Sequence, residues 1–298
     1  MIIPKKLKIG DKIGIVSTAR KITLEELKSA ILILESWGLE IVLGKNLFEE
    51  NNQFAGTIEQ RTADFQDMIN DVEIKAIFCA RGGYGTVQII DNINFSSLKK
   101  NPKWIIGYSD VTVLHSHLNN IGVSSLHATM PINFENNSNE SLQSLKNSLL
   151  GKSNRIECTG HALNLLGEAD AEIVGGNLSI LYSLSASISD IDTEGKILFI
   201  EDLDEYLYHI DRMMMNLKRN GKLAKLKGLI VGEMNDMNDN EIPFGKSVEE
   251  IISEHTKTYG YPICFGFPVG HINDNRCIKL GVKSVLKITK NGVSLFQE

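Results

Sequence analysis

No apolar stretch in this 298-residue chain approaches the roughly 18 residues that span a bilayer, so no transmembrane helix is expected. The start, Met1-Ile2-Ile3-Pro4-Lys5-Lys6, lacks an apolar core followed by a small-residue cleavage site, and a cytoplasmic protein is expected. Blocks of like charge are missing too. The 31 basic and 37 acidic residues are interspersed and mildly acidic in balance, which argues against nucleic acid or an anionic membrane as the main partner. Small molecules or proteins remain. The 4 cysteines, Cys79, Cys158, Cys264 and Cys277, have no CxxC spacing, and they read as reduced, mostly buried thiols. Neither Cys79 nor Cys264 has the nearby positive charge of a reactive thiolate. Metal-ligand spacing is also absent. Of the 7 histidines only His115 and His117 are close, and at i and i+2 on a helix they point to different sides. Neither a metal nor a cofactor is expected. The chain has no internal repeat and no low-complexity tract.

What is present is a globular composition, 42% hydrophobic, in a length that suits one large or two ordinary domains. Residues 12–17 (KIGIVS) form a β-rich run, and Thr23-Leu24-Glu25-Glu26 is a capping box for a helix ending near Gly38. Residues 40–43 give a second strand. Thr57-Ile58-Glu59-Gln60 is another capping box, and its helix carries apolar residues at Phe65, Met68, Ile69 and Val72. Residues 76–79 form a buried-type strand that enters Arg81-Gly82-Gly83-Tyr84-Gly85, followed by a helical stretch and then the strand and helix around Ser109. This alternation predicts a mostly parallel sheet covered on both faces, with functional loops at the carboxyl ends of its strands. Between Asn133 and Arg155 the composition turns polar around one amphipathic helix, the best candidate for a junction. Two domains follow: an N-terminal α/β domain over 1–150 and a C-terminal α+β domain over 165–298. The second has antiparallel character towards its end, with short strands expected at 262–265, 277–282, 284–288 and 293–296.

Four stretches could carry chemistry. In Gly107-Tyr108-Ser109-Asp110-Val111 an apolar strand hands over to a helix, which exposes Ser109 beside free helix N–H groups. The second glycine of GxSxG is missing, and on these residues alone the favoured reading of Ser109 is an N-cap, with Asp110 serving the helix dipole. The RGGYG glycines could present N–H groups to a phosphate, a carboxylate or an oxyanion, or could simply make a tight turn. It has neither P-loop nor GxGxxG spacing. His271 lies in a loop of turn residues after an apolar strand and is the best-placed base. Glu201 closes the strand 197–200, where an α/β fold exposes functional side chains, whereas Asp204 and Glu205 read as the N-cap and first turn of the next helix.

Taken together these stretches resemble a known family. ARGGYG (80–85), IIGYSDVTVLH (105–115), VGGNLS (174–179), FIEDLDE (199–205), DRMMMNL (211–217) and FPVGHINDN (267–275) occur in the order found in the LD-carboxypeptidases, serine peptidases that include murein tetrapeptide carboxypeptidases and microcin C immunity peptidases. The resemblance implies a Ser-Glu-His triad of Ser109, Glu201 and His271. It also implies a flavodoxin-like N-terminal domain similar to class I glutamine amidotransferases, a C-terminal domain with barrel-like character, and a homodimer. The backbone N–H groups of Gly83 and Asp110 would form the oxyanion hole, and Gly82, Tyr84 and Asn177 would contact substrate. The implied reaction removes the terminal D-alanine from murein tetrapeptide in cell-wall recycling. The rival within the family is cleavage of aminoacyl-nucleotide analogues, which the aromatic-poor stretch 136–166 disfavours. From another class, a noncatalytic module binding phosphate or a nucleotide at RGGYG stays open.

Overall fold

Two capping boxes set the first helices. The Glu26 N–H donates to Thr23 Oγ1 (3.2 Å) and the Thr23 N–H to Glu26 Oε2 (2.8 Å), and Thr57 and Gln60 repeat the exchange. The computed structural model describes residues 1–297. Its elements run β1 (Lys12–Val16), α1 (Leu24–Ser36), β2 (Glu40–Leu43), α2 (Ile58–Asn70), β3 (Ile74–Cys79), α3 (Thr86–Ile89), α4 (Ser96–Lys100), β4 (Trp104–Gly107), α5 (Thr112–Asn120), β5 (Ser125–His127) and α6 (Asn139–Leu149). They continue with β6 (Asn154–Cys158), β7 (Gly167–Asn177), α7 (Leu178–Ser183), β8 (Ile197–Leu203), α8 (Leu207–Arg219), β9 (Gly228–Asn235), α9 (Val248–Thr256), β10 (Ile263–Cys264), β11 (Ile278–Leu280), β12 (Lys283–Thr289) and β13 (Gly292–Gln297).

The first sheet is ordered β2-β1-β3-β4-β5-β11, and its pairs are parallel from β2 through β5, as the alternating pattern predicts. Successive strand residues feed opposite apolar layers: Phe78 and Ile106 pack with Leu27 and Leu34 of α1, and Ile77 and Ile105 with Phe65 of α2 and Leu114 of α5. The second sheet runs β10-β9-β8-β7-β12-β13-β6, parallel through β7 and antiparallel beyond it. No helix among the described residues is long and apolar enough to cross a membrane.

Three details depart from expectation. The strand β11 joins the first sheet, antiparallel to β5, although it lies far along the chain among strands of the second. β6 falls inside the polar stretch read as a junction. It is an edge strand in which Arg155 and Glu157 face solvent and Ile156 is buried, so its composition resembles a loop. The helix α8 begins at Leu207 with no side-chain cap, and Asp204, expected as its N-cap, instead turns left-handed (φ 58°) and accepts from Asn238 Nδ2 (2.8 Å).

The VGGN segment ends β7 against β8. Gly175 adopts φ 130°, and a Cβ there would stand 1.8 Å from the Phe199 carbonyl oxygen. Backbone has taken the side chain's place, so Gly175→Ala combines strain with a clash. It is expected to lower the free energy of unfolding by about 3 kcal/mol or more in urea denaturation; a variant as stable as the wild type would show that β7 and β8 do not approach this closely.

Candidate active site

The strand β4 ends at Gly107, and one turn of 3₁₀ helix, Ser109–Val111, precedes α5. Ser109 has φ 60°, a left-handed conformation that costs a residue with a Cβ on the order of 1 kcal/mol. This is the sharp strand-to-helix turn that lifts a side chain clear of both elements. The second glycine of the hydrolase pattern is not needed for it. Ser109 does not cap, however: the N-cap position of the 3₁₀ turn is Tyr108, no side chain bonds there, and Ser109 Oγ has no hydrogen-bond partner among the described residues. The capping alternative is thereby removed.

The adjacent Asp110 is buried, and its role is larger than that of a residue lending only its N–H. Asp110 Oδ2 accepts from the Thr86 N–H (2.8 Å), tying the end of the RGGYG loop to the Ser109 turn. Burial pushes the Asp110 carboxyl up, while the Thr86 and Gly85 hydrogen bonds and the Arg61 charge oppose that rise. Gly82 closes the loop onto the serine, since a Cβ on it would lie 3.6 Å from Ser109 Oγ. Gly83 is exposed with φ 109°, and Tyr84 projects at 48% exposure. The N–H groups of Gly83 and Asp110 have no acceptor among the described residues.

On the second sheet, Glu201 is fully buried and Glu201 Oε2 lies 2.7 Å from His271 Nδ1. Two residues of β9, Gly232 and Glu233, oppose Glu201 alone, a bulge of the kind that re-aims a side chain. A Cβ on Gly270 would come within 3.1 Å of Glu201 Oε2, so the chain before His271 passes directly over the carboxylate. Burial disfavours the imidazolium, but the Glu201 charge and hydrogen bond, with the Asp202 charge, outweigh it and raise the His271 pKa above its ordinary 6.5. The His271 ring meets the Tyr108 ring at a centroid distance of 4.9 Å, which brings His271 and the serine turn together across the two sheets.

Sequence reasoning missed the residues that hold this arrangement. Asn235 Nδ2 donates to the His271 carbonyl (2.7 Å), and the Gly270 N–H donates to Asn275 Oδ1 (3.0 Å). Asn275 stands in the quoted FPVGHINDN stretch, while nothing local marks Asn235. Asp202 was also passed over. It is buried beside Glu201, accepts from Asn177 Nδ2 (2.9 Å) and the Ser179 N–H (2.8 Å), and is pushed up to about 7 by burial and the Glu201 charge. Asn177, expected as a substrate contact, is buried and spent inside the protein. Its Oδ1 caps α7 through the Ile180 N–H (3.1 Å), and its backbone N–H donates to Thr112 Oγ1 of the first half (3.0 Å). A cavity of about 720 Å³ lies between α1, α6 and β6 and contains none of these groups.

Residues 13–128 match the LD-carboxypeptidase N-terminal domain and residues 170–286 the LD-carboxypeptidase C-terminal domain. The chain belongs to the LD-carboxypeptidase family. A "Probable murein peptide carboxypeptidase" of Bacillus subtilis (strain 168) is 35% identical over 95% of this chain and 91% of its own. The murein tetrapeptide carboxypeptidase of Pseudomonas aeruginosa is 26% identical over 94% of each chain. The microcin C7 self-immunity protein MccF of Escherichia coli is 24% identical over 98% and 95%. The crystal structure of muramoyltetrapeptide carboxypeptidase from Oxalobacter formigenes superposes with a TM-score of 0.88 at 24% identity, over 96% of this chain and 98% of that one, and shares the fold.

Two more histidines back the LD-carboxypeptidase site from within. His115 bonds Ser125 Oγ (2.8 Å) and the Gly107 carbonyl (2.9 Å), and burial lowers it to about 4. His127 sits between Tyr108 and Phe199, joining the two sheets edge to face, with burial and the nearby His115 and His271 charges holding it well below 6.5. Both are neutral in the folded protein and free to protonate at ordinary pH when unfolded. As pH falls from about 6.5 towards 4 the unfolded chain therefore binds more protons, and stability drops. His127→Phe keeps the ring and removes that proton uptake. Urea midpoints at pH 7 and pH 5 should differ less for the variant than for the wild type; equal differences would mean that His127 titrates normally in the fold.

Proposed function

We propose that this LD-carboxypeptidase is a serine enzyme that releases the terminal D-alanine of murein tetrapeptide, with Ser109 as nucleophile, His271 as base and Glu201 as the orienting carboxylate. The observation that carries the reading is the buried 2.7 Å pairing of His271 Nδ1 with Glu201 Oε2, together with a strained serine whose hydroxyl makes no bond among the described residues. The names of the Bacillus and Pseudomonas relatives support the murein substrate. Under the same reading the first domain (1–150) is flavodoxin-like, which its β2-β1-β3-β4-β5 order supports, and barrel-like character of the second (165–298) follows from the family resemblance.

In the reaction His271 Nε2 takes the Ser109 proton as Oγ attacks the carbonyl carbon, and Glu201 stabilises the imidazolium. The oxyanion meets the N–H groups of Asp110 and Gly83, each worth about 10²- to 10³-fold in rate. Collapse returns the proton from His271 to the departing D-alanine amine. Water, deprotonated by the same imidazole, then hydrolyses the acyl-enzyme and restores Ser109. Gly82 offers a flat ribbon beside the serine, and Tyr84 an exposed ring at the mouth.

Mass spectrometry of murein tetrapeptide and aminoacyl-nucleotide analogues, each incubated with wild type and Ser109→Ala, tests the assignment. Wild type should release D-alanine, and the variant should lose about 10³-fold or more while still binding the peptide. A variant that works at the wild-type rate ends the nucleophile assignment, cleavage of the nucleotide analogues alone would favour immunity-type chemistry, and binding with no hydrolysis of any substrate would leave a noncatalytic module.

The pH profile supplies a separate check. The base must be neutral, so kcat/KM should fall as pH drops through the raised His271 pKa, above 6.5. Glu201→Gln removes the charge that raises it. The acid limb should then shift to lower pH while kcat falls by about 10³-fold or more; an unmoved limb would separate Glu201 from the base.

A further inference from the structure

The groups assigned so far break a peptide bond, but they do not explain why the residue released should be the last in its chain. Selecting a C-terminal residue means recognising a free α-carboxylate, and an anion drawn from water into a cleft calls for a cation with matching geometry. Several cations border the RGGYG loop. Lys21 is paired with Glu50 (2.6 Å), and Arg81 with Glu26 (3.6 Å), its Nη1 also donating to the Lys21 carbonyl (3.2 Å). Arg61 is buried under the loop, donating to the Thr18 and Gly85 carbonyls (2.9 and 3.1 Å) and to Gln88 Oε1 (2.8 Å). Arg20 differs. It is exposed, and its guanidinium has neither an ion pair nor a hydrogen bond among the described residues.

Its position suits the task. The Arg20 side chain lies across Gly83: a Cβ there would stand 2.6 Å from Arg20 Cδ and 2.7 Å from Arg20 Nε. The preceding residue, Gly82, faces Ser109 Oγ, with its own Cβ position 3.6 Å away. Hydroxyl and guanidinium thus flank two consecutive residues whose Cα atoms are about 3.8 Å apart. In a peptide substrate the attacked carbonyl carbon and the carboxylate carbon of the leaving residue are separated by three bonds, at most about 4 Å. A charge-assisted hydrogen bond adds about 2.8 Å. A guanidinium one residue further along the ribbon from the serine is therefore at the reach a C-terminal anion needs.

The strap that carries Arg20 is fixed to its surroundings before any ligand arrives. Arg20 bridges Phe54 in antiparallel fashion, the Ala55 N–H donates to the Ala19 carbonyl (3.1 Å), and the Lys21 N–H donates to the Gln53 carbonyl (3.0 Å). The Phe54 ring in turn meets the ring of Tyr84, in the same loop, at 6.3 Å. Strap and loop form one unit, so Arg20 needs little ordering beyond its own side chain.

We propose that Arg20 is a specificity-determining residue that grips the terminal carboxylate of the leaving amino acid and so restricts the enzyme to the last residue of its peptide. The proposal rests on the Ser109 reading above. A peptide that continued past the leaving residue would offer a neutral amide at this point and leave the guanidinium without an anion.

The test compares murein tetrapeptide with the same peptide ending in D-alaninamide, using wild type, Arg20→Met and Arg20→Lys. Wild type should prefer the acid by about 10²-fold or more in kcat/KM. Arg20→Met should lose about 10²-fold on the acid, chiefly through KM, and lose at least tenfold less on the amide, which collapses the preference. Arg20→Lys should recover part of it, and unchanged thermal midpoints for both variants establish that they are folded. Binding of the acid to Ser109→Ala, followed by calorimetry with and without Arg20→Met, should weaken by a similar factor. An equal loss on both peptides, or no loss on the acid, overturns the assignment of Arg20 while leaving the Ser109 reading intact. A wild type that cleaves neither peptide overturns that reading and this inference with it.

Discussion

The contact on which most of the molecule depends is the hydrogen bond between His271 and the buried Glu201. A carboxylate with no exposure is tolerable only when a partner is held against it, because removing either group leaves an uncompensated charge in the interior. Much of the second domain is arranged to keep that partner there. The bulge in β9 turns the Glu201 position, Gly270 lets the backbone pass over the carboxylate, and Asn235 and Asn275 hold the loop on either side of the imidazole. Glu201 Oε1 has no partner among the described residues, so the interaction is one-sided and directed at the histidine.

The first domain answers with a different constraint. Ser109 is held in a backbone conformation that costs energy, and the surrounding contacts outweigh that cost by tying the turn to its neighbours: Asp110 to Thr86, His115 to the Gly107 carbonyl, and the Tyr108 ring to His127 and His271. The two halves are sewn together at the same level, through Thr112 and Asn177 and through His127 and Phe199. The turn that carries Ser109 in one sheet and the histidine–glutamate pair of the other are thus joined through the Tyr108 ring with little freedom to drift apart.

How much of this could be read from the sequence depended on how local each cause is. The capping boxes at Thr23 and Thr57 were legible because all their partners lie within three residues. The parallel first sheet followed from alternation. The edge strand β6 was not legible, since one buried apolar residue, Ile156, leaves almost no pattern, and the parallel run from β7 to β10 was hidden behind the more obvious hairpins at the end of the chain. At the candidate site, Ser109, Glu201 and His271 were singled out from strand ends, loops and the family's motif order, and the structure sets His271 against Glu201. The carboxylate of Asp110 was undervalued because its partner, Thr86, lies 24 residues earlier, and the bonds of Asn177 to Asp202 and Thr112 are visible only in three dimensions.

The placement of β11 carries one more consequence, for synthesis rather than for chemistry. Residues 278–280 pair with the outer edge of β5, so the first sheet cannot be completed by the segment that encodes most of it. As the chain leaves the ribosome, the segment that carries β1 to β5 emerges early with one flank unpaired, and roughly half the protein must still be made before that flank is closed. An open strand edge is where chains join one another wrongly. The late strand therefore acts as a clasp: it couples completion of the first sheet to arrival of the loop carrying His271, and a nascent chain that is not yet able to cleave peptides is also not yet sealed.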